Sequence, residues 1–215
     1  MTTLYQNRYR IERTLGSGGF GEVYLAADTA ANDRAVAVKT LRLAIDDPGL
    51  LTFATTTFRQ EFATLTRLSH PHICRVFDYG IDPATQECYF SAEYVDGKDI
   101  WAWATAADTA AVEALFVQTL RAVGYLHSHG ILHGDIKPAN CLVTLANGAP
   151  FLKLVDFGLS QAIGTTRAIP TGTLKFMAPE QLLREFPADP RTDLYAAGLL
   201  FYQLFARTYP FPIAT

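Results

Sequence analysis

The chain has 215 residues, a formal net charge of -3 at pH 7, and 18% charged against 49% hydrophobic residues. A chain of this length can bury a sizeable core, as one large domain or as two small ones. The slightly acidic balance provides no positive field to attract nucleic acid or an anionic membrane, so both classes of partner are disfavoured. The charged fraction lies below the roughly 25% of ordinary soluble domains, which predicts an unusually apolar surface or a missing polar portion.

Cysteine and histidine give little sign of a metal or redox site. The three cysteines are widely spaced and form no C-x-x-C pair: Cys74, Cys88 and Cys141. This pattern predicts reduced, buried thiols. The H-x-H pairs at 70–72 and 127–129 lack the nearby cysteines or carboxylates of a zinc site.

No segment is suited to crossing a membrane. The N-terminus, MTTLYQNRYR, lacks the apolar core of a secretory signal. The most apolar uncharged stretch, Leu194–Ala206, is shorter than the about 20 residues that a bilayer requires, and it predicts a buried helix instead. We therefore expect a cytoplasmic chain, with an anchor beyond its C-terminus left open.

Residues 1–95 favour strands. Five short runs are rich in Val, Ile, Tyr and Phe and are separated by Gly, Asp or Pro: Tyr9–Leu15, Gly21–Ala27, Arg34–Leu41, Cys74–Ile81 and Cys88–Tyr94. A helix from Thr56 to Leu68 interrupts them, because apolar residues recur there at spacings of three and four before Pro71.

Residues 96–215 favour helices. A long amphipathic helix is predicted from Val112 to Leu126, ending at Gly130. The short polar stretch Glu93–Lys98 contains a glycine and predicts a hinge between the two parts. The sequence thus predicts a β-rich domain over residues 1–95 and a helical domain over residues 96–215.

A glycine-rich string lies between the first two predicted strands: Gly16-Ser17-Gly18-Gly19-Phe20-Gly21-Glu22-Val23. Taken alone this string is weak evidence, since it also occurs in dinucleotide sites and in plain hairpins. In a dinucleotide site the glycines open a helix, whereas here a strand-like run follows. The string therefore favours a flap over phosphates, where glycine lets backbone N–H groups approach phosphate oxygens.

Further motifs follow in order along the chain. Lys39 closes Val-Ala-Val-Lys sixteen residues after Val23, and Glu61 lies on the predicted helix. The second part carries four more strings: His133-Gly134-Asp135-Ile136-Lys137-Pro138-Ala139-Asn140, Asp156-Phe157-Gly158, Ala178-Pro179-Glu180 and Asp193-Leu194-Tyr195-Ala196-Ala197-Gly198. Each string alone can occur in a protein without this function. Together with the glycine-rich string they make six motifs, and six in this order do not arise by chance.

From Tyr9 to about Pro212 the chain resembles the eukaryotic-type (Hanks-type) serine/threonine protein kinase family. The resemblance implies an α+β, two-lobed fold: a small antiparallel β-sheet lobe with one helix that binds ATP, and a mainly helical catalytic lobe. It implies transfer of the γ-phosphoryl group of ATP to a protein hydroxyl. Lys137 and Thr173 resemble the serine/threonine branch, and the alanine-rich, lysine-poor composition favours a bacterial source.

The same resemblance assigns roles to residues. Asp135 would orient the substrate hydroxyl or accept its proton, Lys137 would steady the γ-phosphate, and Lys39 paired with Glu61 would hold the α- and β-phosphates. Thr173 completes the catalytic set. Asn140 and Asp156 would hold Mg²⁺, or Mn²⁺ in its place.

The implied ATP site combines the glycine flap with residues of both lobes. Glu93 and Val95 would bind adenine through their backbones, with Ala92 as a small gatekeeper behind it. The full set is Gly16, Ser17, Gly18, Gly19, Phe20, Gly21, Val23, Ala37, Lys39, Ala92, Glu93, Val95 and Leu142.

The chain departs from the family pattern in two respects. Gly134 replaces the arginine that pairs with a phosphorylated activation loop in many kinases, so phosphorylation at threonines 165, 166 or 171 is expected not to be strictly required. The chain also ends at Thr215, before several helices of the family's larger lobe and the arginine that would pair with Glu180. The resemblance therefore implies a truncated lobe with exposed apolar surface on its last helix.

Two alternatives remain open at this point. An inactive, pseudokinase-like module would bind nucleotide or a partner without transferring phosphate, and would shift its melting temperature with Mg-ATP while incorporating no label. A small-molecule kinase of similar fold is disfavoured, because Gly172-Thr173 and Ala178-Pro179-Glu180 resemble a segment that docks protein substrates.

Overall fold

A computed structural model of the chain describes residues 4–5, 7–18, 21–41, 48–82, 87–157, 160–165, 173–183 and 187–211. The chain forms two compact units. The first comprises Met1–Ser69 and Cys74–Tyr94, and the second comprises His70–Ile73 and Val95–Thr215.

The first unit contains a six-stranded, fully antiparallel sheet. Its strands are β1 (Leu4–Tyr5), β2 (Tyr9–Gly18), β3 (Gly21–Asp28), β4 (Arg34–Leu41), β5 (Val76–Ile81) and β6 (Cys88–Glu93), in the order β1-β2-β3-β4-β6-β5. All five predicted strands form: Arg34–Leu41 has the predicted bounds, and each of the other four differs at one end by one to three residues. For example, β2 continues beyond Leu15 because Ser17 and Gly18 still pair with β3.

The two faces of β4 lie in different surroundings. Val36 and Val38 are fully buried in a core cluster with Tyr9, Ala26 and Tyr89. Because successive side chains of a strand point to opposite faces, Ala37 and Lys39 lie on the other face. The alternation of buried and half-buried residues along β4 agrees with this division.

One helix, α1 (Pro48–Leu65), packs against the first unit's sheet through aromatic rings. The ring centroids of Phe58 and Phe90 are 5.1 Å apart, and those of Phe62 and Tyr79 are 5.3 Å apart. The predicted bounds, Thr56 to Leu68, were wrong at both ends. The helix begins at a proline, which suits a first helical turn, and Leu68 instead closes a tighter turn by donating its N–H to Leu65 O at 3.1 Å.

The second unit combines helices with short strands. Its helices are α2 (Ile100–Ala104), α3 (Thr109–Ser128), α4 (Pro179–Leu183) and α5 (Pro190–Ala206); its strands are β7 (Lys98–Asp99), β8 (Ile131–Leu132), β9 (Cys141–Ala146), β10 (Ala149–Leu154) and β11 (Gln161–Ala162). The strands form one sheet in the order β10-β9-β7 and a β11-β8 pair. The expected α+β class, with an antiparallel β lobe and a helical part, is confirmed.

Helix α3 is the predicted amphipathic helix and supports the strand that precedes Asp156. The Gln118 side chain donates to Pro150 O at 2.9 Å and accepts from Leu152 N–H at 2.8 Å, so it fixes β10 at two points. On the helix's other flank, the Phe116 and Phe201 rings lie 4.6 Å apart and join α3 to α5.

Helix α5 is buried on one side only. Asp189 and Thr192 form a capping box at its start, and Leu199, Leu200, Phe201 and Leu204 are buried. The predicted apolar exposure is present: Leu194, Tyr202 and Phe205 are 47%, 48% and 45% exposed. Among the described residues, no helix has both the length and the hydropathy needed to span a bilayer.

Gly97 is required where the chain enters β7. A Cβ atom on Gly97 would lie 2.5 Å from Val143 O, in the backbone of the neighbouring strand β9, which cannot move without breaking the sheet. We expect Gly97→Ala to lower the free energy of unfolding by about 1–3 kcal/mol, the usual cost of overpacking. Urea unfolding of both proteins measures this difference.

Gly124→Ala is the matched control for this prediction. Gly124 lies on the exposed side of α3, and a Cβ there meets no atom within 4 Å. Alanine should stabilise the helix at this position by up to about 1 kcal/mol, because glycine is the weaker helix former. Equal effects of the two substitutions would show that the approach to Val143 imposes no constraint.

Candidate active site

The predicted ATP-binding residues of the first unit share one face of its sheet. Gly16 pairs with Val23, Val23 with Lys39, and Ala37 with Ala92, in each case directly across neighbouring strands. Directly opposed residues project from the same face. The register therefore places all five on the face that α1 covers in part.

The glycine string forms the β2–β3 hairpin. Gly18 pairs with Gly21, whose φ of 147° is rarely adopted by residues with a side chain. Ser17 pairs with Glu22 in the same ladder, while Gly19 and Phe20 lie outside the described residues. Because the string joins two strands rather than a strand and a helix, the dinucleotide alternative is excluded.

The structure brings Lys39 and Glu61 together as an ion pair within the first unit. Lys39 Nζ lies 2.7 Å from Glu61 Oε1 and 2.8 Å from Oε2. The carboxylate is 3% exposed, and the lysine side chain is 26% exposed. The Lys39 ammonium also lies 5.8 Å from the centroid of the Phe90 ring, the ring against which α1 packs. The aromatic packing of α1 thus holds Glu61 in place.

The predicted adenine-binding backbone is divided between the two units. Ala92 is buried near the end of β6, and Glu93 is paired on both of its backbone groups: its N–H donates to Arg75 O at 2.8 Å, and its carbonyl accepts from Cys74 Sγ at 3.6 Å. Val95 belongs to the second unit. Within the described part of the chain, no hydrogen bond involves its N–H or C=O.

The Asp135 carboxylate in the second unit is surrounded by donors. One oxygen, Oδ2, accepts from Lys137 Nζ at 2.6 Å and from Asn140 Nδ2 at 3.1 Å. The other, Oδ1, accepts from the Thr173 backbone N–H at 3.1 Å. Asp135 is 7% exposed, so its orientation is determined by these three partners rather than by solvent. Four predicted catalytic or metal-binding residues therefore meet at one carboxylate.

A second buried carboxylate holds the loop that carries Asp135. Asp193, at the start of α5, is 1% exposed and accepts from the backbone N–H groups of His133 and Gly134, each at 2.9 Å. It also lies 2.9 Å from His127 Nε2 on α3. Asp193 belongs to one of the six sequence motifs and His127 to an H-x-H pair, but no role was predicted for either side chain.

Asn140 and Asp156 lie at adjoining backbone segments. The Asn140 amide nitrogen donates to Asp135 O at 2.9 Å as well as to its carboxylate, which leaves the amide oxygen for another ligand. Asn140 O accepts from Val155 N–H at 3.0 Å, and Asp156 follows immediately with a left-handed φ of 62° and an exposed side chain. Phe157 anchors this turn, with its ring 4.7 Å from that of His133.

The donor chemistry of this pair suits magnesium. An amide oxygen and a carboxylate oxygen are hard ligands, and Mg²⁺ is commonly held by one or two protein oxygens together with substrate phosphates. In the described part of the chain, no three His, Cys, Asp or Glu side chains group as a metal site, and this includes both H-x-H pairs.

Next to Asn140, complete burial raises the pKa of the Cys141 thiol to about 12, so it stays protonated and is a poor nucleophile.

The remaining predicted residues occupy the second unit. Leu142 lies on β9, opposite Asp99 of β7. Glu180 accepts a hydrogen bond from Thr192 Oγ1 at 2.7 Å, so a hydroxyl of α5 contacts the carboxylate for which the family pattern supplies an arginine. Gly158, Thr166, Thr171 and Gly172 lie outside the described residues, so their predicted roles are not addressed by the structure.

Comparison with known proteins agrees with this geometry. Residues 9–215 match the protein kinase domain. Three relatives are probable serine/threonine-protein kinases: PknB of Lactococcus lactis (34% identical), PknB of Corynebacterium glutamicum (36%) and SCO3848 of Streptomyces coelicolor (38%). The matches cover 97%, 98% and 95% of this chain.

The chain spans about a third of the length of these relatives: 33% of the two PknB proteins and 31% of SCO3848. The shared portion is the part that carries the glycine hairpin, the Lys39–Glu61 pair and the Asp135 cluster. On the match over residues 9–215, the chain belongs to the protein kinase family.

Proposed function

We propose that this chain transfers the γ-phosphoryl group of ATP to a serine or threonine hydroxyl of a protein. The observation that carries the proposal is the Asp135 carboxylate, held by Lys137 Nζ at 2.6 Å and by Thr173 N–H at 3.1 Å. A carboxylate and an ammonium on the same loop supply both needs of the reaction: an acceptor for the hydroxyl proton and positive charge for the phosphoryl oxygens. The relatives' names, serine/threonine-protein kinase, support this choice of substrate.

Asp135 and Lys137 have different roles in the transfer: Asp135 acts on the substrate hydroxyl, and Lys137 acts on the transferred phosphoryl group. Asp135 orients the substrate hydroxyl toward the γ-phosphorus and accepts its proton as the new P–O bond forms and the bond from the γ-phosphorus to the β,γ-bridging oxygen breaks, with ADP as the leaving group. Lys137 neutralises charge on the transferred group. Their hydrogen bond keeps the two side chains in fixed register, and such alignment accounts for much of the rate enhancement in phosphoryl transfer.

Lys39 binds the α- and β-phosphates in this proposal. The two oxygens of Glu61 hold its ammonium at 2.7 and 2.8 Å, which restricts a side chain that would otherwise sample many rotamers. A fixed ammonium offers a directed charge to the triphosphate and pays little entropy when ATP binds. The glycine hairpin supplies backbone N–H groups for the same phosphates.

Asn140 and Asp156 are the proposed ligands for the divalent cation. Bound there, Mg²⁺ would supply positive charge that neutralises the charge of the phosphates. The protein's contribution is the Asn140 amide oxygen, which the two bonds to Asp135 orient, and the exposed Asp156 carboxylate. The two residues are linked through the backbone bond from Val155 N–H to Asn140 O. Both are hard oxygen donors of the kind that Mg²⁺ prefers.

The adenine ring is assigned to the backbone of Val95 and to the Glu93 carbonyl, whose second lone pair can accept a further hydrogen bond beside the one from Cys74 Sγ. The Val95 N–H and C=O, which lack partners among the described residues, supply a donor and an acceptor for it. Ala37 and Ala92, paired across β4 and β6, present small apolar side chains on the face that also carries Lys39. Two small residues side by side leave space for the planar adenine ring, and for the bulky group of an ATP-site inhibitor behind it.

Ala92→Met should change inhibitor sensitivity far more than ATP use. Methionine adds several atoms at a buried position, 6% exposed, and would fill the space that a bulky ATP-site inhibitor needs. We expect the inhibitor's potency to fall at least about tenfold, since even one methylene in an apolar pocket can be worth about 1–3 kcal/mol. The KM for ATP should change less. Equal inhibitor potency against both proteins would contradict the small-gatekeeper assignment.

Direct labelling tests the proposed function. The purified chain is incubated with γ-labelled ATP, Mg²⁺ and a generic basic protein, beside the Asp135→Asn variant. Label should appear on serine or threonine in the wild-type reaction and be greatly reduced in the variant. A chain whose melting temperature rises with Mg-ATP but which incorporates no label would be a nucleotide-binding module, and the proposal would be wrong.

A further inference from the structure

Gln181 links two segments that both contact the catalytic aspartate. Its Oε1 accepts from the Ala178 N–H at 2.9 Å, and its Nε2 donates to Gly134 O at 3.3 Å. The first bond lies within residues 173–183, here called the anchoring segment. The second reaches residues 133–140, which contain Asp135 and are here called the catalytic loop. One half-buried side-chain amide therefore joins the two segments.

The peptide that Gln181 contacts carries the catalytic residue. The Gly134–Asp135 peptide has its carbonyl held by Gln181 and its N–H held by His133 Nδ1 at 3.3 Å. Rotation of this peptide would swing the Asp135 side chain. Because its carbonyl and its N–H are both hydrogen-bonded, rotation of this peptide is restrained, and Gln181 provides the restraint on the carbonyl.

The neighbourhood of Gly134 leaves this restraint to Gln181. Gly134 has a φ of 78° and, as a glycine, has no side chain that could contact the anchoring segment. The cavity beside it, lined in part by Asp135, Thr173 and Gln181, measures about 10 Å³, which is room for about one water molecule. This cavity is too small for a phosphate group.

We propose that Gln181 is a positioning residue: it locks the catalytic loop to the anchoring segment, so that Asp135 stays aligned without a phosphorylated threonine. This inference rests on the proposed kinase function and concerns the regulation of that same site. The Thr173 N–H bond to Asp135 is the second tie between the two segments. Loss of Gln181 would remove one of the two hydrogen bonds that join these segments in the described part of the chain.

Gln181→Glu removes the donor and keeps the shape. The introduced carboxylate can still accept from Ala178 N–H, but it faces the Gly134 carbonyl with a second acceptor and repels it. We expect kcat toward a peptide substrate to fall by about tenfold to a hundredfold, the range that follows from a displacement near 1 Å. The KM for ATP and the melting temperature should stay close to the wild-type values.

The pH profile separates positioning from a general structural defect. Protonation of the introduced carboxyl restores an O–H donor for the Gly134 carbonyl, so the ratio of variant to wild-type kcat should rise as pH falls from 8 toward about 5, approaching the ordinary glutamate pKa. A merely structural role would leave this ratio flat. Gln181→Met fills similar space without any donor, and should be as slow as the glutamate variant at high pH with no recovery at low pH.

Gln161→Glu is the matched control. Gln161 Nε2 also donates to a backbone carbonyl at 3.3 Å, that of Thr165, and the charge change is the same, but the bond does not involve the catalytic loop. This variant should keep its kcat. All proteins are treated with phosphatase before assay, and the wild type should retain its activity.

Each outcome has a distinct meaning. If the wild type transfers no phosphate at all, the proposed function fails. If the untreated wild type is active but phosphatase abolishes that activity, or if both Gln181 variants match the wild type, the inference about Gln181 is overturned while the kinase function stands. A flat pH ratio for Gln181→Glu, or an equal loss in Gln161→Glu, also overturns it.

Discussion

Asp135→Asn should reduce kcat for phosphoryl transfer by roughly 10²- to 10⁴-fold, the range for loss of a positioned acid or base. Asparagine has nearly the same shape, and its amide oxygen can still accept from Lys137 or Asn140, so the loop should keep its fold. What it loses is the negative charge and the basic oxygen that receives the hydroxyl proton. The loss should therefore appear in kcat rather than in the KM for ATP.

Asp33→Asn is a suitable control for this substitution. Asp33 is exposed, lies in the first unit and pairs with Arg10 at 3.1 Å, so the same chemical change there affects only an exposed ion pair. Its kcat should match the wild type. If Asp135→Asn retained more than about a tenth of the wild-type rate, Asp135 could not be the residue that orients or deprotonates the hydroxyl.

Much of the first unit could be predicted from sequence because its signals are local. Alternating Val36 and Val38 predict a strand with one buried face, and that alternation fixes Lys39 on the opposite face. Gly18 and Gly21 flank a hairpin that glycine favours. The bounds of α1 were missed because its early residues lack the clear apolar periodicity that begins near Phe58.

The short elements of the second unit escaped prediction for a different reason. Strands β7, β8 and β11 have two residues each, too few to show any alternation. They exist because tertiary partners align them: Lys98 opposite Val143, and Gln161 opposite Leu132. Such pairings join residues far apart in the chain, so no local window contains both halves of the signal.

The candidate site likewise contains some residues that a local sequence pattern predicts and others that only long-range contacts reveal. Asp135, Lys137 and Asn140 lie within six residues, and their mutual hydrogen bonds follow from a pattern visible in one short string. Asp193 and Gln181 contact the same loop from 59 and 47 residues away. Each contributes one polar side chain with no repeating pattern, so only the folded arrangement reveals that they support the loop.

Lys39→Met should affect activity and stability through two separate mechanisms. Removal of the ammonium takes away the proposed phosphate contact, and kcat/KM for ATP should fall by about 10²- to 10³-fold, the scale for loss of one preorganised charge-stabilising donor. The same change removes the Lys39 ammonium from the Glu61 carboxylate, which is 3% exposed. Breaking a buried pair from one side typically costs about 3–5 kcal/mol, so the free energy of unfolding should drop as well.

Lys39→Met combined with Glu61→Leu separates these effects. Replacing both members of a buried pair with apolar residues is often close to neutral, because no uncompensated charge remains. The double variant should regain most of the lost stability in urea unfolding, and α1 should stay packed through Phe58 and Phe62. Activity should stay as low as in the single variant. Recovery of turnover together with stability would show that Lys39 serves only to hold α1, and that the phosphate contact must be assigned to another cation.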